Sequence, residues 1–253
     1  MPTIAIVNQK GGTGKTTTTV NLAAAIAETG RTVLVIDLDS QRNATTWLDA
    51  TAGEYDVLSV LMREATVDQA AVPTPVPGLE VLPATRDLAG VERGMAGKPG
   101  AELRLRAALA KARPRDVVLI DCLPALGLLT IGGLIAADEV LVPVLPGVLE
   151  LQAVVELVGT VSEVGEELNP GLRIGHVLVV AADPRQRLDA DVIAALRAQF
   201  PAETMQTVIN RSVRIREAYG NRQPVTVYDP TGKASEQYRA AAAELLHLER
   251  TPA

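Results

Sequence analysis

One cysteine, Cys122, occurs in 253 residues. That excludes an intrachain disulfide and any Cys-rich metal or iron–sulfur framework within a single chain. Aromatic residues make up 2% of the sequence, with Phe200 the sole phenylalanine, so the core has to be built from Ala, Val, Leu and Ile. No apolar run approaches a membrane span, and no basic segment with a cleavage site precedes the first strand-like run. A cytoplasmic protein without a membrane partner is expected. No Pro/Gly/Ser-rich linker and no internal repeat divides the chain, which predicts a single domain over residues 1–253. Positive charge is not in excess: 24 Lys and Arg face 30 Asp and Glu, for a net charge of −6. That balance argues against wholesale nucleic-acid binding and leaves room for a local basic patch.

What the chain does have is alternation. Strand-like runs at Thr3–Val7, Thr32–Ile36, Leu79–Leu82, Val117–Ile120, Glu139–Val144 and Ile174–Val180 are mostly apolar on both faces. Such strands belong in a parallel sheet covered by helices. Helical stretches fall between and after them at Lys15–Glu28, Val57–Arg63, Ala101–Ala112, Leu126–Ala136, Glu150–Leu168, Ala190–Gln199 and Ala234–Leu248. Asp56 and Asp189 read as helix caps. "NPGL" at 169–172 and "QPVTVYDPTGK" at 223–233 read as turns or loops, and "VPTPVPG" at 72–78 as a surface loop before an edge strand. The expected fold is α/β: a doubly wound, mostly parallel sheet with helices on both faces and its ligand at the carboxyl ends of the strands.

The stretch "NQKGGTGKTT" joins the first strand to the first helix. Its end, Gly14-Lys15-Thr16, fits the phosphate-loop pattern G-x-x-x-x-G-K-[ST], but Gln9 stands where the pattern asks for glycine, and Lys10 adds a second lysine. Glycines let the backbone wrap an anion, and the helix N-terminus adds N–H donors. Lys15 is placed for β/γ-phosphates and the Thr16 hydroxyl for Mg²⁺. The plainer alternative is a glycine-rich turn that binds nothing. A dinucleotide fingerprint fails, because Thr17 occupies the place of its third glycine. Two further strands end in carboxylates: "VLVIDLD" in Asp37 and Asp39, "DVVLIDCLP" in Asp121. A Mg-nucleotide site needs such groups around the metal and to position water. Capping of following helices is their structural alternative, although Asn43 is the better-placed cap after Asp39.

"KGGTGKTT", "DLDSQRNAT" and "LIDCLPALGLLT", with the later "NPGLRI", "VINRSVRIREA" and "QPVTVYDPTGKASEQY", resemble the ParA/Soj family of deviant Walker A partition ATPases. The resemblance runs from residue 3 to about the last helix. It implies ATP as substrate and Mg²⁺ as cofactor. It places nucleotide contacts at Lys10, Gly11, Gly12, Thr13, Gly14, Lys15, Thr16 and Thr17, with Asn210 as a base contact. It assigns the metal to Thr16, Asp37 and Asp121, partly through water, and the catalytic roles to Lys10, Lys15 and Asp39. In that family the first loop lysine, here Lys10, crosses a nucleotide-sandwich homodimer, and the residue matching Asp39 positions the attacking water.

Relatives separate by what this chain lacks. The cluster cysteines of the nitrogenase iron protein, the C-x-x-C of iron–sulfur scaffolds and the terminal tyrosines of bacterial tyrosine kinases are missing. Ala234–Leu248 reads as a docking helix of the fold, unlike the basic amphipathic membrane helix of MinD. No extension is seen for an N-terminal helix-turn-helix domain. Departures occur as well: Ser40 and Arg42 replace Pro and Gly of "DPQGN", Leu123 replaces a Pro of "DCPP", and "LPGVLELQ" replaces a "CEYYALE"-like segment.

The family's ATP-bound dimer binds double-stranded DNA nonspecifically, and Arg185 and Arg214 match its DNA-contacting arginines, with Arg187 and Arg216 as helpers. The region Arg173–Arg222 holds eight arginines and five acids. The alternative is an ordinary solvated surface. The expected function is DNA partition driven by a ParB-type centromere-binding partner, with nucleoid association when ATP is bound. The rivals are a ParA-like positioning ATPase for a protein cargo, such as chemoreceptor clusters or microcompartments, and a nonhydrolysing nucleotide sensor.

Overall fold

The computed structural model describes residues 2–95 and 97–246. Its first half runs β1 (Thr3–Ile6), α1 (Lys15–Ala27), β2 (Val33–Asp37), α2 (Asn43–Trp47), α3 (Val57–Met62), α4 (Val67–Ala70), β3 (Val72–Pro73) and β4 (Leu79–Leu82). A 3-10 turn at Arg86–Gly90 then leads to α5 (Val91–Met95), α6 (Arg104–Leu109), β5 (Val117–Asp121) and α7 (Leu128–Ala136). The second half is β6 (Glu139–Val144), α8 (Val148–Glu167), β7 (Arg173–Ala182), α9 (Arg187–Gln199), β8 (Thr204–Asn210), α10 (Val213–Gly220), α11 (Val225–Tyr228) and α12 (Lys233–Leu245).

The eight strands form one sheet in the order β3-β4-β2-β5-β1-β6-β7-β8. All neighbours are parallel except β3 against β4. Strand residues alternate between two apolar layers: Leu34 and Ile36 join the one under α3, α7 and α8, while Val33 and Val35 join the one under α1 and α12. This two-sided burial is why the strands read as continuous apolar runs. β1 lies between β5 and β6, and the chain leaves it past β5 to reach β2. The loop after β1 therefore opens at a topological switch point, where ligands of such sheets bind.

Several expectations need correction. Val72–Pro73 pairs antiparallel with Glu80 and Val81, so the proline-rich loop supplies the outermost strand and Leu79–Leu82 is not the edge. Two residues ending in proline carry no periodic signal. β8, α2 and α10 were not anticipated, and the loop at 223–233 contains the single turn α11. Asp56 does cap α3, with Ser59 completing a capping box. Asp189 does not cap α9, which starts earlier; its carboxylate accepts the Asp183 N–H at 2.7 Å instead. Residues 247–248 of the last expected helix lie outside the described residues.

Candidate nucleotide site

The loop after β1 is shaped by Gly12 and Gly14, at φ 75° and 85°, a conformation that side chains with a Cβ rarely take. Gly14 is the cap residue of α1 and offers no side chain, so α1 leaves its first N–H groups open. Asn8 braces the loop by donating to the Pro143 carbonyl at 2.9 Å and accepting the Lys10 N–H at 3.0 Å. The Thr13 hydroxyl donates to the Lys10 carbonyl.

The two loop lysines point differently. Lys15 is buried, and its Nζ donates to the carbonyls of Asn8 and Lys10 at 3.0 and 2.9 Å. Burial lowers its pKa, opposed by the charge of Asp121. Lys10 leaves the loop: its side chain is 39% exposed, and Nζ stands 3.5 Å from Glu150 of α8. Gly147 leaves the space that the Glu150 carboxylate fills.

Beside the loop, the strand-end carboxylates converge. Asp37 and Asp121 are register partners across β2 and β5 and are buried. Asp121 accepts the Thr16 hydroxyl at 2.8 Å and the Thr19 hydroxyl at 3.2 Å. Burial raises its pKa first and the Asp37 charge second, against the two threonine hydrogen bonds. Asp37 is also raised by burial, despite accepting the Thr45 N–H and hydroxyl at 2.9 and 2.7 Å. Thr45 lies in the first turn of α2, so Asp37 rather than Asn43 satisfies that helix end. Asn43 is itself helical, after Arg42 at φ 58°. A glycine takes that conformation freely, whereas a side-chain-bearing residue loses about 1–2 kcal/mol. Half-buried Asp39 accepts the Gln41 N–H at 2.9 Å on the connecting loop.

The donors around Thr16 are hydroxyl and carboxylate oxygens, hard ligands that suit Mg²⁺. Burial first, and the neighbouring carboxylate after it, raises both Asp37 and Asp121, and a divalent cation would favour their charged forms. Among the described residues no group of three or more His, Cys, Asp and Glu is placed to hold a metal. The remaining ligands of a Mg²⁺ here would come from phosphate and water. Next to Gly12, Gly14 and Thr17 opens a cavity of about 840 Å³, bounded further by Val180, Asn210 and Arg211. The structure thus gathers Gly12, Gly14, Thr17 and Asn210 around one space and ties Thr16 to Asp121, while Asp37 is engaged with α2.

The four arginines are not one patch. Arg185 is clamped to Asp183 at 2.9 and 2.8 Å, which holds that carboxyl well below the usual range. Arg187 stands 3.9 Å from Asp191, and Arg214 donates to Glu217 at 2.8 Å. Arg185 and Arg216 both border the cavity, Arg185 with its guanidinium held by Asp183. The sequence reading missed Asn8, Thr19 and Glu150. Thr19 was within reach of it, because it lies three residues after Thr16 on the same helix face. Glu150 carried no such signal.

A family model described as an AAA domain matches residues 1–174. The chain is 41% identical over 252 residues to the "Chromosome partitioning protein ParA" of Caulobacter vibrioides, covering 98% of this chain and 94% of that one. It is 40% identical to the "Sporulation initiation inhibitor protein Soj" of Bacillus subtilis, covering 96% and 97%. A solved Mycobacterium smegmatis structure, named cobyrinic acid a,c-diamide synthase and holding ADP and magnesium, superposes with TM-score 0.85 at 33% identity, over 99% and 96% of the two chains. Identity at this level, sustained from end to end of a shared fold, makes the chain a member of the ParA/Soj family of P-loop ATPases.

Proposed function

We propose that the protein is a Mg²⁺-dependent ATPase that partitions DNA, working as one domain per chain. ATP joins two copies into a sandwich homodimer, in which Lys10 of each subunit completes the other's site. The dimer holds double-stranded DNA nonspecifically through Arg185, Arg187 and Arg214, in the cytoplasm and on the nucleoid. A ParB-type centromere-binding protein stimulates hydrolysis and releases it. The reading follows the relatives named for partition at 40 and 41% identity and does not draw on the synthase name at 33%.

The observation that carries it is the opposite setting of the two lysines. Lys15 is held within its own loop, while Lys10 turns out of it and, among the described residues, pairs with Glu150. A site needing one lysine has no use for the second; a site finished by another subunit does. In catalysis, Lys15 and the loop N–H groups bind and orient the phosphates, and Thr16 with Asp121 would hold Mg²⁺, which supplies charge neutralisation at the β/γ oxygens. Asp39 positions the attacking water. Phosphoryl transfer asks chiefly for such placement. Across a two-fold axis the arginines double, and each added phosphate contact steepens salt-dependent binding.

A DNA titration without nucleotide, with ADP and with ATP tests the proposal. Tight binding in the ATP state alone is expected, and equal binding in all three would sink it. Turnover that rises with a protein assembly and ignores a ParB-type partner would move the role to cargo positioning.

A further inference from the structure

Arg214 and Arg216 stand two residues apart on α10, about 200° around a helix of 3.6 residues per turn. They therefore face opposite sides. Arg214 lies on the side of Glu217 and Asp229, at 2.8 and 3.8 Å. The Arg216 side chain makes no hydrogen bond or ion pair with the described residues and is exposed. It borders the 840 Å³ cavity together with Gly12, Gly14 and Thr17. It also borders a second depression of about 460 Å³, formed with Thr16, Thr17, Trp47 and Tyr219. Thr17, Ile215 and Arg216 are the residues common to both, so Arg216 stands on the wall that divides them, beside the N-terminus of α1.

Lys15 and Thr16 serve the β- and γ-phosphates and the metal, so the rest of a nucleotide has to run past Thr17 into the larger cavity. The portion that passes the dividing wall is the α-phosphate with its ribose. We propose that Arg216 is a nucleotide-binding residue, its guanidinium set against the α-phosphate–ribose portion of a bound nucleoside di- or triphosphate, and not a DNA contact. This rests on the nucleotide reading of the loop given above. A guanidinium presents a planar fork of donors that matches phosphate oxygens. Arg216 can take an anion without first releasing an acid, whereas Arg185, Arg187 and Arg214 each have one nearby. The assignment also divides labour on one eight-residue helix: Arg216 holds nucleotide while Arg214 looks outward.

Arg216→Ala and Arg216→Lys in the full chain test the proposal. Affinity for Mg-ADP and for Mg-pyrophosphate is measured by calorimetry, and DNA binding is followed across a salt series at saturating Mg-ATP. Arg216→Ala is expected to weaken Mg-ADP about tenfold, the scale of one charge-assisted phosphate contact. Arg216→Lys should recover part of that loss, Mg-pyrophosphate affinity should not change, and the DNA salt slope should equal that of the wild type. Unchanged Mg-ADP affinity in Arg216→Ala overturns the proposal. So does an equal loss with pyrophosphate, which would put the guanidinium on the terminal phosphates, or a salt slope reduced by about one contact. A wild-type protein that binds neither ligand defeats the nucleotide reading itself, a separate result.

Discussion

The loop after β1 and the arginine-bearing surface of α9 and α10 carry charge in opposite ways. Around the loop, titratable groups are buried and tied to their own chain: Lys15 to two carbonyls, Asp121 to two threonines, Asp37 to Thr45. On the surface, the Arg185 and Arg187 side chains are 86% and 94% exposed; of their acids, Asp191 stands in water at 69% and Asp183 is mostly covered at 15%. Buried charged groups cost several kcal/mol to unpair, whereas exposed pairs contribute about 0–1 kcal/mol. The first region is built before its ligand arrives; the second can exchange its acids for phosphate at little cost. A nucleotide-gated DNA binder needs that asymmetry.

The strongest way to break the comparison is Lys15→Ala. Removing both charged hydrogen bonds should weaken Mg-ATP by at least about a hundredfold in calorimetry, and binding within threefold of wild type would show that the loop is not the phosphate site. On the surface, Arg185→Ala or Arg214→Ala should leave nucleotide affinity alone and lower the salt slope of DNA binding by about one each. An unaltered slope would remove those residues from the DNA face. The smallest effect is expected from Glu150→Gln. Freeing Lys10 from a partly buried pair at 3.5 Å should tighten ATP-dependent dimerisation by no more than about fivefold, and sedimentation showing weaker dimers would mean that Glu150 supports the interface instead.

How much of this was legible in the sequence follows from the same contrast. Strands buried on both faces announce themselves, and the three candidate carboxylates stand at their ends or just beyond, so Asp37, Asp39 and Asp121 could be placed without coordinates. β8 could not. It is the edge strand opposite β3, and Gln206 and Thr207 give their N–H groups to Glu244 of α12 at 2.6 and 3.0 Å. Its free backbone N–H groups are answered by a side chain distant in sequence, not by a local rule. α2 was hidden for a similar reason: "NATTW" is a poor helix by propensity, and Asp37 holds its first turn from a strand end. The arginines were legible as an excess of charge, but composition does not say which way a side chain faces. Two residues of helical spacing separate Arg214 from Arg216, and the structure alone sets one of them on the cavity wall.

The central claim is that Lys10 serves the other subunit. It is tested most directly in an Asp39→Ala background, where hydrolysis should be blocked and ATP-bound dimers should accumulate. Sedimentation with Mg-ATP should show Asp39→Ala as a dimer and the Lys10→Ala/Asp39→Ala double variant as a monomer that still binds ATP. A double variant that dimerises as fully as Asp39→Ala would contradict the account.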